Sequence, residues 1–333
     1  MTVMRAWRTT GEPGGLRLDR IGIPEPGADE VLVRVEVCGL CRTDLHVIDH
    51  EIPVHRPVVT PGHQAVGRVV AAGECVVEPA VGARVGVAWL RSTCGQCDYC
   101  RTGAENLCPH SRYTGWDADG GFADFLTAPA AYVYTLPDDT AALDLAPLLC
   151  AGIIGFRALT RAHLPPGGTL GIYGFGSSAH VTAQLVRAAG GRFVALTRGE
   201  QNRELARELG AAFVGEEAQP PPEPLDAAIV FAPAGGLVPV ALRATRSGGT
   251  VVLAGIEMSD VPVLSYEDDL FRERDLRTVT ANTRADGMRF LAVARTLGLR
   301  PTVTPVPFEA LPDAVDDLRR GRARGSLVLR VDA

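Results

Sequence analysis

The chain has 333 residues, too many for one average hydrophobic core, and its length predicts two domains. With 22% charged residues and a formal charge of −6, the sequence argues against nucleic acid or an anionic membrane as a partner. The first thirty residues lack the pattern of a secretory signal, and no apolar run reaches the ~18 residues of a membrane span, so we expect a cytoplasmic protein.

The first part of the chain is predicted to be rich in short strands. Gly/Pro turns interrupt residues 1 to about 35, and the alternating apolar run 31–37 ends where a polar segment, 38–46, begins. Further strands are predicted at 65–71 and 83–89. Their frequent glycines indicate a tightly curled sheet.

The polar segment holds groups that could bind a metal ion. Alone, Cys38 and Cys41 could be a redox dithiol, half of a zinc site or two buried thiols. His63 follows about twenty residues later, and Cys150 lies in an apolar stretch. A cysteine, a histidine and a distant cysteine form a set of three ligands suited to a catalytic zinc, whose fourth position stays open for water or substrate.

A second group of thiols lies within residues 94–108. Cys94, Cys97, Cys100 and Cys108 follow the pattern Cys-x2-Cys-x2-Cys-x7-Cys. Such short loops let one segment surround a tetrahedral ion, and four protein ligands leave no open position, so we predict a structural zinc. An iron–sulfur cluster is the alternative interpretation, disfavoured because the downstream Cys-Pro of ferredoxins is not in register.

From about residue 151 the pattern changes to alternating strands and helices. A strand at 169–173 leads into Gly174, Gly176 and Ala179, which form the motif Gly-x-Gly-x-x-Ala, followed by a helix and a strand at 192–196. Gly174 allows a tight turn, Gly176 lets a pyrophosphate approach the backbone, and Ala179 keeps the helix close to the sheet. This arrangement predicts a dinucleotide-binding unit. Later strands are predicted at 227–231 and 250–254.

The end of the second strand of this unit bears on the choice of cofactor. NAD-binding units usually have an Asp or Glu there, whereas this chain has Thr197 followed by Arg198. A carboxylate would repel a 2′-phosphate, and a hydroxyl beside a guanidinium can bind one. We therefore favour NADP(H). If Arg198 is only a solvated turn residue, NAD(H) binds as well.

Several motifs occur in the order seen in the zinc-dependent medium-chain alcohol dehydrogenases, which the whole chain resembles. They are Cys-Arg-Thr-Asp-Leu-His from residue 41, Pro-Gly-His from residue 61, the four-cysteine lobe, Leu-Cys-Ala-Gly from residue 149 and Gly-Phe-Gly from residue 174. The chain looks most similar to the bacterial alcohol dehydrogenases and their cinnamyl-alcohol-dehydrogenase-like relatives. The resemblance implies an α/β protein with a GroES-like β-rich catalytic domain, residues 1–152 and 284–333. Residues 153–283 would form a Rossmann cofactor domain with a doubly wound parallel sheet.

The resemblance also implies which cysteines and histidines bind metal. Cys41, rather than Cys38, would join His63 and Cys150 as ligands of the catalytic zinc. Cys38 and Cys75 are then interpreted as packing thiols. The remaining histidines are interpreted as surface or satisfied polar residues: His50, His55, His110, His163 and His180.

Other residues receive roles from the same resemblance. Thr43 and His46 would form a proton relay by way of the cofactor ribose, Asp44 would support the metal ligands, and Arg42 would lie near the cofactor phosphates. Two tryptophans, Trp89 and Trp116, either line the substrate pocket or are core aromatics. One departure is Gln64, because the residue after the zinc histidine is usually Glu in this family.

The resemblance implies interconversion of an alcohol and an aldehyde or ketone by hydride transfer with NADP(H) or NAD(H). It also implies two zinc ions per chain and a homodimer or homotetramer. Two alternatives stay open at this point. One is a metal-independent enone reductase on the same fold, which has no need of three zinc ligands, and the other is a non-enzymatic NADPH-binding protein, in which the relay would have no purpose.

Overall fold

A computed structural model describes residues 2–331 of the chain. The chain forms two compact units, Met1–Cys150 with Thr283–Met288 and Val303–Ala333, and Ala151–Asn282 with Arg289–Thr302. The predicted assignment of all of 284–333 to the first domain differs from this division. Residues 289–302 pack within the second unit, where Phe290 is fully buried beside Phe156 and Gln184 donates to the carbonyl of Arg300 at 3.1 Å.

The strands and helices of the described residues are numbered here in chain order. The strands are β1 Val3–Thr9, β2 Leu16–Gly22, β3 Glu30–Leu40, β4 Gln64–Ala72, β5 Arg84–Val87, β6 Leu90–Ser92, β7 Arg112–Tyr113, β8 Phe125–Pro129, β9 Val133–Thr135, β10 Thr169–Tyr173, β11 Arg192–Leu196, β12 Phe213–Gly215, β13 Leu225–Val230, β14 Thr245–Leu253, β15 Asp275–Thr278, β16 Val303–Pro307 and β17 Ser326–Arg330. The α-helices are α1 Arg42–Ile48, α2 Asp98–Arg101, α3 Ala142–Leu145, α4 Ala151–Ala162, α5 Ser177–Ala188, α6 Glu200–Glu208, α7 Leu237–Ala244, α8 Arg284–Leu297 and α9 Leu311–Arg319.

The main sheet of the first unit has the order β16-β17-β3-β4-β5-β9, and β8 also pairs with β3. Strands β16 and β17 are parallel, and the other pairs are antiparallel. Strand β3 organises this sheet because its 11 residues pair with β4, with β8 and with β17. Its alternate residues Val31, Val33 and Val35 belong to the core of the unit. Its register with β4 shifts at two places, and such irregularities bend a sheet.

The second unit contains a fully parallel sheet with the order β12-β11-β10-β13-β14-β15. Counted from β10, this is the order 3-2-1-4-5-6 of a doubly wound Rossmann sheet. One core cluster joins the sheet to α4, α5 and α6, and another joins it to α7. Burial on two faces explains why β10 does not alternate between buried and exposed residues: all five are buried, and only Thr169 at its start carries a hydroxyl on an aliphatic side chain. The predicted doubly wound parallel sheet is confirmed.

Two cysteines outside the metal-ligating groups have different surroundings. Cys38 is fully buried in the core of the first unit, as expected for a packing thiol. Cys75 was expected to be a core thiol, and that expectation is wrong, because its side chain is exposed. It lies in the loop between β4 and β5, where its backbone N–H donates to the carbonyl of Ala28 at 2.8 Å.

Within residues 2–331, no single helix is both long enough and apolar enough to cross a membrane. One bent pair of helices, Ala142–Leu149 and Ala151–Ala162, meets the test by length and composition only.

Candidate active site

Two metal-ligating residues are brought together by the pairing of β3 with β4. Gly39, near the end of β3, lies opposite Gln64, the first residue of β4. Cys41 follows β3 directly, and His63 directly precedes β4. The antiparallel pairing therefore places their side chains beside each other, with 3.5 Å between Cys41 Sγ and His63 Nε2.

Cys150 completes a group of three ligands. It follows the short 3-10 helix Ala146–Leu149, which packs on β3 and β4. The ligand atoms of Cys41, His63 and Cys150 lie within 4.8 Å of one another. A tetrahedral zinc with sulfur at about 2.3 Å and nitrogen at about 2.0 Å would separate these two ligand atoms by about 3.5 Å. The group therefore fits a zinc ion with three protein ligands and one open position.

Asp44 is buried beside the three ligands and accepts three hydrogen bonds. Its Oδ2 accepts the backbone N–H of Cys41 at 2.9 Å, while Oδ1 accepts the N–H of Gly62 and the Nδ1–H of His63, both at 3.1 Å. Asp44 is the third residue of α1, so the same carboxylate also closes the start of that helix. The bond to Nδ1 selects the tautomer in which Nε2 is available to a metal.

These side chains form a set of strongly interacting charges. A hydrogen bond from Cys150 holds the pKa of the Cys41 thiol well below its usual value, and the charge of His63 acts in the same direction. That hydrogen bond and burial raise the pKa of Cys150 well above its usual value. Burial acts to lower the pKa of His63, but the charges of Asp44 and Cys41 outweigh it and raise that pKa to about 10. Because cysteine and histidine bind metal in deprotonated form, metal binding here is coupled to proton release.

The four cysteines of the lobe form the second group. Cys97 and Cys100 have sulfur atoms 3.5 Å apart, Cys94 and Cys108 3.6 Å, and Cys94 and Cys100 4.0 Å. A tetrahedral zinc separates two thiolates by about 3.8 Å. Backbone N–H groups of Cys97 and His110 donate to the sulfurs of Cys94 and Cys108, each at 3.4 Å. The lobe thus fits a second zinc ion with four protein ligands and no open position.

The predicted relay residues both lie on α1. The hydroxyl of Thr43 is hydrogen-bonded to the Cys41 sulfur and so faces the metal group. His46 is 2% exposed, and its Nδ1 is hydrogen-bonded to the carboxylate of Glu51. Arg42, on the same helix, is exposed. Sequence analysis missed Glu51, although an acidic residue just beyond the end of the helix that carries a relay histidine is a signal that could have indicated it.

The two predicted pocket residues lie in one aromatic cluster beside the metal group. Trp89 packs edge-on against His63 with ring centroids 4.8 Å apart. Trp116 stacks on Trp89 at 5.8 Å and on His55 at 3.9 Å, and Tyr113 lies 5.0 Å from Trp89. Tyr113 and His55 were not predicted, because nothing in their sequence spacing relates them to the tryptophans.

The glycine motif of the second unit leaves space beside its loop. Gly174 has a φ of +85°, and a Cβ there would lie 2.8 Å from the backbone nitrogen of Ala232. A Cβ at Gly176, which precedes α5, would meet no atom within 4 Å. Ala179 is fully buried in the core between α5 and the sheet. Open space in front of a helix start suits a cofactor pyrophosphate.

His180, in the first turn of α5, holds this loop in place. Its Nε2 accepts the backbone N–H of Thr302 at 3.0 Å, so Nδ1 carries the proton and donates to the carbonyl of Gly176 at 3.2 Å. Burial lowers the pKa of His180 to about 4. The ring is therefore neutral at physiological pH. The interpretation of His180 as a satisfied polar residue is confirmed, and its contact with the glycine motif was not foreseen.

The predicted cofactor-selecting residues follow β11. Thr197 is buried and its hydroxyl accepts the N–H of Phe175 at 3.1 Å, so it is already bonded to the glycine loop. Arg198 has a side chain that is 77% exposed and pairs with Glu217 at 3.1 Å. Arg203, which was not predicted, donates to the carbonyl of Thr197 at 3.4 Å.

Gln64, the departure from the usual Glu, is buried at the start of β4. Its Nε2 has no hydrogen-bond partner among residues 2–331. A buried donor without a partner lowers the free energy of unfolding by about 1–3 kcal/mol. The neutral amide adds no charge to the group of metal ligands.

Comparisons with known proteins agree with this geometry. Residues 27–138 match the family model described as "Alcohol dehydrogenase GroES-like domain". The chain is 50% identical over 338 aligned residues to "Probable alcohol dehydrogenase AdhA" of Mycobacterium tuberculosis (strain CDC 1551 / Oshkosh), covering 98% of this chain and 97% of the relative.

Two solved structures extend the comparison. A cinnamyl alcohol dehydrogenase from Sorghum bicolor is 26% identical, with a TM-score of 0.89 and coverage of 99% of this chain and 98% of that chain. An acetophenone reductase from Geotrichum candidum NBRC 4597, solved in complex with NAD, is 25% identical with a TM-score of 0.89, covering 98% and 97% of the two chains.

The resemblance is not confined to the GroES-like domain, because the 50% sequence identity to a named alcohol dehydrogenase extends over nearly the whole of both chains. The ligand atoms of both groups, one of two cysteines and a histidine and the other of four cysteines, also lie close enough together to hold a zinc ion. The chain therefore belongs to the zinc-dependent medium-chain alcohol dehydrogenases and interconverts an alcohol and an aldehyde or ketone by hydride transfer with a nicotinamide cofactor.

Proposed function

We propose that this alcohol dehydrogenase acts on apolar, planar substrates, prefers NADP(H), and exchanges the substrate proton through Thr43 and His46. The observation that carries the proposal is the group of Cys41, His63 and Cys150. Thr43 lies against its sulfur and an aromatic cluster lies against its histidine. Zinc held by the three ligands supplies a Lewis acid that lowers the pKa of an alcohol and polarises a carbonyl.

The protein's own groups hold the reacting centre in position. Asp44 keeps His63 in one tautomer and orientation, and Cys41 together with the buried Asp44 concentrates negative charge where a cation binds. We take the Thr43 hydroxyl, hydrogen-bonded to the Cys41 sulfur, as the group of α1 that accepts the alcohol proton, and His46, on the same helix, as the group that receives it by way of the cofactor ribose. In the reductive direction the same groups return a proton to the carbonyl oxygen.

The aromatic cluster supports a substrate with a flat apolar body. Trp89 is 7% exposed, whereas Trp116 and Tyr113 are partly exposed. The rings of Trp116 and Tyr113 are therefore accessible to a ligand, and both pack against Trp89. Aromatic rings favour stacking with other π-systems. The two structural relatives described above are named for aryl substrates, cinnamyl alcohol and acetophenone, which favours the same class here.

The preference for NADP(H) rests on Arg198. Its guanidinium is exposed at the end of β11, where the 2′-position of a bound adenosine ribose is expected. Binding of a 2′-phosphate would break the ion pair between Arg198 and Glu217. A doubly charged phosphate binds a guanidinium more strongly than a carboxylate does. The Thr197 hydroxyl contributes indirectly, because its bond to Phe175 joins this corner to the glycine loop.

The experiment that tests this proposal compares NADPH and NADH with a panel of aliphatic and aromatic aldehydes, using the zinc-loaded protein. We expect turnover with both cofactors, a lower KM for NADPH, and the highest kcat/KM for aromatic aldehydes. An Arg198→Ala variant should raise the KM for NADPH by about 10- to 100-fold, the value of one charge-assisted bond, and leave that for NADH unchanged. Equal effects on both cofactors would contradict the role of Arg198.

We further propose a homo-oligomer, dimer or tetramer. Large apolar side chains of the second unit are exposed close together in sequence, including Val263, Tyr266 and Phe271. Apolar surface of this kind often marks a protein interface. Light scattering coupled to size exclusion would decide it, and a monomer at micromolar concentration would contradict it.

A cytoplasmic location is proposed from thiol chemistry. The cysteines are free thiols, and seven of them form the two metal groups. A reducing compartment keeps such thiols available as ligands. Fractionation of the native host with a thiol-trapping reagent would test the location.

A further inference from the structure

We infer that Glu217 is a second specificity-determining residue of the cofactor site, which favours NAD(H) and limits the preference for NADP(H). Its carboxylate accepts the 2′-hydroxyl of NAD(H) and repels the 2′-phosphate of NADP(H). The inference rests on the proposed position of the adenosine ribose beside Arg198, and it gives a reason to expect turnover with both cofactors.

The pairing of β11 with β12 places Glu217 beside the cofactor-selecting residues. The two strands are parallel, with Leu196 opposite Gly215, and the N–H of Thr197 donates to the carbonyl of Gly215 at 3.0 Å. The residues that follow the two strands therefore leave the sheet side by side at its carboxyl edge, where such folds bind a nucleotide. Glu217 follows β12 by two residues, as Arg198 follows β11 by two.

A turn restricts the backbone on both sides of Glu217. The N–H of Gln219 donates to the carbonyl of Glu216 at 3.0 Å, and the N–H of Glu216 donates to the side-chain oxygen of Gln219 at 3.2 Å. Three prolines, residues 220–222, follow directly, and each fixes its own φ. A carboxylate on a loop restricted in this way loses less conformational entropy when it binds a ligand.

The carboxylate of Glu217 has one bound and one unbound oxygen. Its Oε1 accepts the Nε–H of Arg198 at 3.1 Å. Among residues 2–331 its Oε2 accepts no hydrogen bond. The side chain of Glu217 is 18% exposed, so the carboxylate lies against the protein and is still open to solvent. Oε2 is therefore available to a hydroxyl donor while Oε1 stays on Arg198.

The nearest other basic side chain is engaged with different carboxylates. Arg203 pairs with Glu200 at 3.0 Å and lies 3.8 Å from Glu216. Within the described part of the chain, Arg198 is the guanidinium to which Glu217 is bonded. The effect of Glu217 can therefore be separated from that of its neighbour Glu216.

The two cofactors differ at the 2′-position of the adenosine ribose. In many NAD-binding units an Asp or Glu after the second strand accepts the 2′-hydroxyl. This chain has Thr197 at that position, and Glu217 supplies the carboxylate from the neighbouring strand instead. A 2′-phosphate is attracted by Arg198 and repelled by Glu217, because like charges at short distance destabilise each other. The ion pair thus holds one group suited to each cofactor.

A Glu217→Gln variant of the zinc-loaded protein, without substrate, tests the inference by binding rather than turnover. Glutamine keeps the size of the side chain and removes its charge. Titrations that follow the fluorescence of the reduced nicotinamide give the Kd of NADPH and of NADH. We expect the Kd of NADPH to fall about threefold, a modest change because Arg198 is solvent-exposed. The Kd of NADH should rise about threefold, because a neutral amide accepts a weaker hydrogen bond than a carboxylate.

Fragments of the cofactors locate the effect at the ribose. Adenosine 2′,5′-bisphosphate carries the 2′-phosphate, and adenosine 5′-monophosphate carries the 2′-hydroxyl. Calorimetry should show the same two opposite changes for these probes in Glu217→Gln. A second variant, Glu217→Ala, also lacks the carboxylate and should shift the ratio of the two Kd values in the same direction.

Glu216→Gln is the matched control. It removes the same charge from the adjacent residue, whose side chain is 81% exposed and lies near Arg203 instead of Arg198. The Kd of either cofactor should change by less than about twofold in this variant, as expected for an exposed charge.

The possible results separate this inference from the proposed preference for NADP(H). A wild-type protein that binds NADH more tightly than NADPH contradicts the proposed preference, and the inference stands if Glu217→Gln shifts the Kd ratio toward NADPH. A wild-type preference for NADPH with an unchanged ratio in Glu217→Gln overturns the role of Glu217 alone. Equal changes for both cofactors, or the same shift in Glu216→Gln, also overturn it, because they indicate lost structure or a long-range charge effect. Opposite changes confined to the Glu217 variants support it.

Discussion

The two metal-ligating groups of this enzyme differ in how the chain assembles them. The four thiols of the lobe come from one segment of the chain, residues 94–108, and three of them are partly exposed. Cys41, His63 and Cys150 come from distant segments, and they meet because β3 pairs with β4 and a 3-10 helix packs on both. A site assembled from one segment can exist with little surrounding structure, whereas the second kind depends on the whole fold of its unit.

The two groups also differ in electrostatics. In the lobe, backbone N–H groups of Gln96 and Cys97 lower the pKa of Cys94 to about 6, so the local backbone stabilises the thiolate. In the group of Cys41, His63 and Cys150, charges of side chains from different elements set the protonation, and Asp44 and Cys41 raise the pKa of His63 to about 10. The first arrangement suits a permanent structural ion, and the second suits an open position at which a substrate binds.

The largest effect should follow loss of a ligand in the group of Cys41, His63 and Cys150. Cys41→Ser is expected to lower kcat/KM by at least about 1000-fold, well beyond the 10- to 100-fold that loss of a supporting partner costs. Zinc analysis should find one ion per chain instead of two. Cys75→Ser, which changes an exposed thiol, is the control and should keep both ions and full activity.

Loss of a ligand in the lobe should affect structure more than chemistry. Cys100→Ser removes one of four thiolates, and the binding energy of a structural zinc is folding energy for the segment that holds it. We expect faster proteolytic cleavage within 94–108 and a lower Tm, with most of the activity kept per bound catalytic zinc. The contrast between the groups would fail if Cys100→Ser were as inactive as Cys41→Ser.

Asp44→Asn should weaken zinc binding only in the group of Cys41, His63 and Cys150. The amide removes a negative charge and turns its NH2 toward one of the three N–H donors that the carboxylate now accepts. Outer partners of this kind are worth about 10- to 100-fold in metal affinity. Competition with a chromogenic chelator would measure it, and the unchanged lobe zinc serves as internal control. Equal weakening of both ions would point to general unfolding.

The pKa of His180, which is buried without a neighbouring charge, is shifted in the opposite direction to that of His63. The folded pKa of His180, about 4, lies below the unfolded value of about 6.5, so the unfolded chain binds a proton first. Its contribution to stability is complete above pH 6.5 and is lost as the pH falls toward 4, about 2 kcal/mol of it by pH 5. Urea denaturation at pH 7 and pH 5 should show that His180→Gln loses less stability than wild type over this range. The exposed His55 gives the control variant His55→Gln, and identical pH slopes for all three proteins would contradict the assignment.

The smallest effect is expected for the cysteine that resembles a ligand only in sequence. Cys38→Ser buries a hydroxyl in the core of the first unit, at a cost of about 1 kcal/mol in the free energy of unfolding. Both zinc ions and kcat should stay unchanged. Loss of a zinc ion from the Cys38→Ser variant would show instead that Cys38 is a metal ligand and not a core thiol.

Much of the fold could be predicted because its signals are local. The strand 169–173 and the glycine motif after it form one continuous signature, and β10 has the predicted bounds. The assignment of residues 289–302 could not be predicted, because it depends on Phe290 packing against Phe156 rather than on any local pattern. Cys75 was misplaced for the same reason, since its exposure follows from the path of a loop.

The sequence by itself determined the chemical inventory. It contains the lobe spacing, the glycine motif and the family motif around Cys41, and these depend on residues a few positions apart. Only the tertiary structure decided which polar groups are hydrogen-bonded to each other: Asp44 with His63, His46 with Glu51, and His180 with Thr302. The physical reason is that hydrogen bonds act over about 3 Å, while strand pairing and helix packing determine which distant residues come that close.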